Sequence, residues 1–306
     1  MNGKIILGTR GSELARAQTL LAEKAIRSAH PNVAIETKII VTRGDNAKVV
    51  DLKAGRKGLF TTEIERALLA GEVDVAVHSA KDLPSETNPG AQIAAVLPRG
   101  SVNDVLISKH SGGLTSLPYG ATVATGSVRR QRQLHCKRAD LNVVDLRGNV
   151  PTRLRKLTGN QWDGIVLAQA GLERLGFSAT QTEIGFEGGQ FSVDILPSEI
   201  FVPAGGQGII ALQIRSDDQS TKAFLESVSD RETLLCLYAE REFLSRLHGD
   251  CNFPVGVHAS ITDGKMKMRA QVFDGESPEP RQAEVEGPSG KGGQLAAELL
   301  RNIERD

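Results

Sequence analysis

Aromatic side chains are scarce in this chain, 4% of 306 residues with one tryptophan, and neither charge is in excess, 37 Lys and Arg against 37 Asp and Glu. Bulk electrostatic adhesion to nucleic acid or to an anionic membrane is therefore not expected, and there are few rings on which bases could stack. No apolar run approaches the ~20 residues that span a bilayer. Cysteine is also rare: Cys136, Cys236 and Cys251 form an odd set without metal-type spacing, and the six histidines add none. A disulfide framework and a metal centre are thus not expected, and a reducing, cytoplasmic setting fits. Residues 1–10 lack a basic region followed by a signal-length apolar stretch and read as a first strand.

What is present is a globular composition, 40% hydrophobic and 24% charged, in a chain too long for one ordinary core. Residues 4–7 read as a strand, Ser12 as the cap of a helix to about Ala29, and residues 33–41 as a second strand. Residues 42–58 are polar and glycine-bearing and read as a loop. A helix over 60–70 and a strand over 73–77 complete the rhythm of a sheet with crossover helices. The rhythm restarts with strands at 105–108, 121–124, 142–145 and 164–168, and with helices after Ser127, from about Val150, and before Leu175. Residues 177–190 are glycine-rich and read as an insertion or loop. Residues 209–214 form one more strand, and residues 218–228 and 231–247 two helices. Strands at 255–261, 266–273 and 282–286, joined by Asp-Gly turns, and a last helix over 293–303 suggest a small α+β domain.

One stretch breaks the charge balance. Between Arg129 and Lys156 stand nine Lys and Arg residues, opposed only by Asp140 and Asp145. Arginines beside helix N-termini make strong carboxylate or phosphate sites. The polar clusters fall at the carboxyl ends of strands, where doubly wound sheets bind ligands: Arg10 and Ser12, Ser79, Lys81 and Asp82, Thr125, Ser127, Arg129 and Arg130, and Arg147 with Asn149. Together they outline an anion-binding cleft between two sheets. Asp82 amid these cations reads either as a counter-charge or as a group that stabilises a developing cation. Cys251, on a tight loop, reads either as a plain thiol or as a nucleophile or covalent anchor. His78, alone at a strand end, reads as structural or catalytic. Lys57-Gly-Leu-Phe60 and Gly205-Gly-Gln-Gly208 lack the spacing of nucleotide-binding loops.

Taken in order, Thr9-Arg-Gly-Ser12, Val41-Thr-Arg-Gly-Asp45, Lys57-Gly-Leu-Phe60, Ala76-Val-His-Ser-Ala-Lys-Asp-Leu-Pro84, Gly126-Ser-Val-Arg-Arg-Gln131, Leu146-Arg-Gly-Asn-Val150, Ala168-Gln-Ala-Gly-Leu172, Pro203-Ala-Gly-Gly-Gln-Gly208 and the Cys251 loop resemble the porphobilinogen deaminase (hydroxymethylbilane synthase) family over nearly the whole chain. The resemblance implies two periplasmic-binding-protein-like doubly wound α/β domains plus a smaller C-terminal α+β domain with an antiparallel sheet. The expected boundaries are 1–98 with 203–226, then 99–202, then 227–306. It implies head-to-tail joining of four porphobilinogen molecules, with loss of ammonia, into hydroxymethylbilane. It further implies a dipyrromethane cofactor, attached through a thioether to Cys251, that serves as primer. The implied cofactor-binding residues are Ser79, Lys81, Asp82, Thr125, Ser127, Arg129, Arg130, Arg147 and Gly148. The implied substrate-binding residues are Arg10, Ser12, Arg147, Arg153, Gln207 and Phe60. Lys53, Arg56 and Lys57 would belong to a lid, and Asp82 would be catalytic. A cytoplasmic monomer with porphobilinogen as its small-molecule partner, and with no nucleic acid, membrane or metal, is expected. Two departures stand out: Asp250 where many relatives have a second glycine, and a long 177–190 segment. The competing expectation is a non-catalytic, periplasmic-binding-type anion carrier, which would need neither Cys251 nor a covalent group.

Overall fold

The computed structural model describes residues 3–42, 61–86, 88–178, 182–247, 253–275 and 277–305. The expected lid residues Lys53, Arg56 and Lys57, together with Phe60 and the Cys251 loop, lie outside them. In chain order the elements are β1 (Lys4–Thr9), α1 (Glu13–Ala29), β2 (Ala34–Ile39), α2 (Thr62–Leu69), β3 (Val75–Ser79) and β4 (Ala91–Val96). Then come β5 (Asp104–Ser108), β6 (Thr122–Ala124), α3 (Val128–Lys137), β7 (Asn142–Val144), α4 (Val150–Gly159), β8 (Gly164–Ala168), α5 (Gln169–Glu173), β9 (Glu183–Phe186) and β10 (Gly189–Leu196). The chain ends with β11 (Ile210–Arg215), α6 (Gln219–Glu226), α7 (Arg231–Arg246), β12 (Val255–Thr262), β13 (Lys265–Val272), β14 (Arg281–Pro288) and α8 (Gly292–Arg305).

These strands make three sheets, ordered β2-β1-β3-β11-β4, β7-β6-β8-β5-β10-β9 and β12-β13-β14. In the first sheet β1 is parallel to β2 and β3, whereas the returning β11 is antiparallel to β3 and β4. In the second, β6 is parallel to β7 and β8, and β5 and β10 run against their neighbours. Both α/β units are therefore mixed sheets with crossover helices, and the third unit is a small antiparallel sheet covered by helices.

Two expectations need correction. Residues 183–196, read partly as a glycine-rich loop, form the hairpin β9–β10; Gly188, at φ +83, makes its turn, and Ile184 and Phe191 are buried in the core behind it. The strand β4 also went unseen, because its alternation (Ala91, Ile93, Ala95) rests on small residues that give a weak apolar signal.

Each unit buries its own core. Ile5, Leu7, Val75, Val77 and Leu212 of the first sheet pack under Ala22 and Ile26 of α1, while Ile64 and Leu68 of α2 cover the other face. Val105, Ile165 and Leu167 pack against Leu154 and Leu157 of α4, and Leu134 of α3 closes the opposite face. Met266, Met268 and Val272 of the third sheet meet Phe243 of α7 and Leu299 and Ile303 of α8.

The three units converge on residues 203–208. Gly208, at φ +85, lies so close to the first crossover that a Cβ would stand 2.5 Å from Gly100 O, and Gly100 N donates to Gly208 O at 3.0 Å. Gly206 is equally constrained, since a Cβ there would stand 2.9 Å from Lys81 N. Glu240 of α7, with no exposed surface, gathers the surrounding donors: Arg99 Nη1 at 2.6 Å, Gly206 N at 2.7 Å and Ala259 N at 2.8 Å. Arg99 Nε in turn donates to Gln207 O at 2.9 Å. Removing one member of a buried ion pair leaves an uncompensated charge, which costs about 3–5 kcal/mol. Glu240→Ala is expected to lower the unfolding free energy by that amount, read from urea denaturation; a loss under about 1 kcal/mol would contradict this role.

Candidate active site

Three helices begin beside the polar strand ends, each with a side-chain cap. Ser12 Oγ accepts from Ala15 N at 3.3 Å at the start of α1. Ser127 Oγ accepts from Arg130 N at 3.5 Å at the start of α3, and Asn149 Oδ1 accepts from Thr152 N at 2.9 Å at the start of α4. Helix N-termini favour anions. Yet the first turn of α3 carries Arg129 and Arg130 and that of α4 leads into Arg153, with no acidic residue in either first turn. Cations there oppose the macrodipole, so a counter-charge or a ligand must offset them.

The counter-charge is Asp104, a residue that the sequence reading missed. It has no exposed surface. Arg129 Nη1 donates to its Oδ2 at 2.9 Å, while Arg130 Nη2 and Gln207 Nε2 donate to its Oδ1 at 2.7 and 2.8 Å. Burial by itself would raise the Asp104 carboxyl, but the two guanidinium groups outweigh it and hold it below the usual carboxylate range. Arg129 Nη1 also donates to Val202 O at 3.0 Å and Arg130 Nη1 to Val166 O at 3.0 Å. The Nε atoms of both arginines are buried without a hydrogen-bond partner.

Lys81 and Asp82 sit in a 3-10 turn directly after β3, and Ala80 N of that turn donates to Ile209 O at 3.0 Å. Burial and the nearby Arg130 bring the Lys81 ammonium down to about 8, although Asp82 and Asp104 pull the other way. Arg153 is lowered to about 10 by burial and then by Arg130 and Arg147, again with Asp82 in opposition. Lys81 and Asp82 of the first unit thus share one electrostatic field with Arg129, Arg130 and Arg153 of the second. No hydrogen bond to the Asp82 carboxylate is found among the described residues.

A pocket opens next to Asp82, lined by Arg10, Ser12, Gln18, Thr61, His78 and Ser79 over an apolar floor of Leu14, Ala15 and Val77. Gln18, also missed in the sequence, brackets Ser79: its Nε2 donates to Ser79 Oγ at 2.8 Å, and Ser79 Oγ donates to Gln18 Oε1 at 3.1 Å. Thr125 is buried at the end of β6 and accepts from Ser127 N at 3.3 Å. Arg147 is exposed and paired with Asp145 at 2.7 Å. Arg153 Nε donates to Gly148 O at 2.7 Å, and Gly148, at φ +115, could not carry a Cβ, which would stand 2.7 Å from Thr152 Cγ2. Gln207 is fully buried beneath the arginines, with its Nε2 also on Val102 O at 2.7 Å, so it reaches the cleft through Asp104. Among the described residues no group of His, Cys, Asp and Glu is placed to hold a metal, and no helix is long and apolar enough to cross a membrane.

The chain can be set beside known proteins on this geometry. Residues 5–223 match the family model described as porphobilinogen deaminase, dipyromethane cofactor binding domain, and residues 234–302 match the porphobilinogen deaminase C-terminal domain. The chain is 41% identical over 304 residues to porphobilinogen deaminase of Roseiflexus sp. (strain RS-1), covering 98% of this chain and 97% of that protein. It is 42% identical over 301 residues to porphobilinogen deaminase of Syntrophomonas wolfei, covering 96% of this chain and 94% of that protein. Among solved structures, the methionine-binding protein MetQ aligns with a TM-score of 0.46 at 13% identity, over 76% of this chain and 92% of that one. With both family models in register and near-full-length identity above 40%, the chain belongs to the porphobilinogen deaminase family.

Proposed function

We propose that this protein is a transferase that joins four porphobilinogen molecules head to tail, releasing ammonia each time, to give hydroxymethylbilane. Family membership favours this over a non-catalytic anion carrier. The observation that carries the mechanistic reading is a set of closely packed cations around Asp82, a carboxylate with no hydrogen-bonded partner among the described residues. Each pyrrole brings an acetate and a propionate, so the substrate is an anion that grows as the reaction proceeds. Arg10, Ser12, Arg147 and Arg153 would pair with the incoming unit, and Gln207 would support the cleft from behind. Phe60, Lys53, Arg56 and Lys57 would cover it.

The residues present also fit a dipyrromethane cofactor. The unpartnered Nε atoms of Arg129 and Arg130 and the suppressed Lys81 ammonium are what a cleft built for bound carboxylates would show in their absence. Ser79, Lys81, Asp82, Thr125, Ser127, Arg129, Arg130, Arg147 and Gly148 would hold the group, and Cys251 would anchor it by a thioether. When bound, it supplies a pyrrole carbon nucleophile on which the polymer starts. Asp82, ionised, accepts hydrogen bonds from pyrrole N–H groups. When the aminomethyl C–N bond of porphobilinogen breaks, the electron pair leaves with ammonia, and the positive charge left on the pyrrole faces this carboxylate. The same reading makes the protein a cytoplasmic monomer with no nucleic-acid, membrane or metal partner. Its domain boundaries would be 1–98 with 203–226, 99–202 and 227–306.

Two outcomes test it. Asp82→Asn preserves shape and removes charge, so turnover, followed as ammonia and tetrapyrrole formed from porphobilinogen, should fall about 10²–10³-fold while the bound pyrroles stay attached. Near-normal turnover would remove Asp82 from this role. Lys81, titrating near 8 in the free cleft, must be protonated to pair with a carboxylate. Affinity for a non-reacting pyrrole dicarboxylate should therefore fall as pH rises from about 7 to about 9, and Lys81→Met should flatten that dependence in titration calorimetry.

A further inference from the structure

His78 lines the same pocket as Asp82 and Arg10, yet it has no part in the scheme above. It is only 4% exposed. Its ring is held by a contact between Nε2 and Gln213 Oε1 at 3.2 Å across the β3–β11 pair. Because the amide oxygen can only accept, Nε2 carries the proton, and Nδ1 of the neutral ring keeps its lone pair. The Nε2 of Gln213 is buried without a partner, so its amide meets the ring through Oε1 alone. Nε2 makes the only side-chain hydrogen bond of His78 among the described residues, which leaves Nδ1 as the ring nitrogen available to a ligand.

The pocket is thus divided by chemistry. Arg10 and Ser12 offer donors suited to carboxylates. Asp82 and His78 Nδ1 offer acceptors, one charged and one neutral. Porphobilinogen has the matching inventory: two carboxylates, a pyrrole N–H and an aminomethyl ammonium. Resting on the function proposed above, we infer that His78 is a positioning and specificity residue whose Nδ1 accepts a hydrogen bond from the aminomethyl ammonium of the incoming porphobilinogen.

The imidazole suits that task because it is a poor base. Burial, and then the Arg10 charge, bring it down to about 4. The nitrogen must leave with all three of its protons: the C–N bond breaks, the pair stays on nitrogen as NH3, and the positive charge passes to the pyrrole beside Asp82. A basic partner would take a proton first and leave an amine that does not depart. His78 recognises the ammonium without taking that proton.

Two amide substitutions separate this role from a structural one, because Asn places its carboxamide near the Nδ1 position and Gln near Nε2. His78→Gln keeps a donor for Gln213 and loses the pocket acceptor, and should raise KM for porphobilinogen about tenfold with kcat within about threefold of the parent. His78→Asn restores the acceptor and should bring KM back to within about threefold of the parent. The reverse order, or no change in either variant, would overturn the inference. Nitrogen-15 spectra of histidine-labelled protein give an independent reading. Nδ1 of His78 should resonate as an unprotonated nitrogen and move upfield when porphobilinogen is added. The shift without ammonia release would uphold the recognition and sink the proposed turnover. Ammonia release without the shift would sink the recognition and leave the turnover standing.

Discussion

A carboxylate with no access to water, Asp104, binds two guanidinium groups that would otherwise repel each other. Most of the cleft follows from this one contact. Arg129 and Arg130 occupy the first turn of α3, against the helix dipole, and the buried negative charge keeps them there. Gln207 shares the same carboxylate and belongs to the segment on which all three units converge. The groups proposed to meet a ligand are thereby fixed to the joint between the α/β units. Glu240 ties the third unit to that joint through Arg99 and Gly206.

Positive charge is then left over on the ligand side. Lys81 and Arg153 add to it, and the unpartnered Nε atoms of Arg129 and Arg130 show that the buried anion does not exhaust their donors. Such a cleft is costly for an empty protein and suited to one that binds several carboxylates. Asp82 differs from Asp104 in the way the two roles require. Asp104 is buried and saturated with donors, whereas Asp82 is half-buried and has no hydrogen-bonded donor among the described residues. One acid serves the structure, and the other is the one proposed to serve the chemistry.

Much of this was legible in the sequence. Short Val- and Ile-rich runs with polar residues at their carboxyl ends gave most strands, and Ser12, Ser127 and Asn149 marked helix starts. The cationic stretch 129–156 pointed to an anionic ligand, which is the reading proposed above. Asp104 was not legible, because one acid ahead of an apolar run looks like a loop residue until three donors are seen to converge on it. Gln18 and Gln213 were hidden for the same reason: a lone amide carries no periodic signal, and its meaning lies in a partner 61 or 135 residues away. The hairpin β9–β10 was obscured by glycines that serve its turn and edge.

The central claim is that this cationic cleft holds a chain of pyrroles tethered at Cys251. Intact-protein mass spectrometry tests it most directly. The native, active protein should exceed its sequence mass by two linked pyrroles, and the excess should vanish on Cys251→Ser. An active protein at its bare sequence mass would contradict the claim.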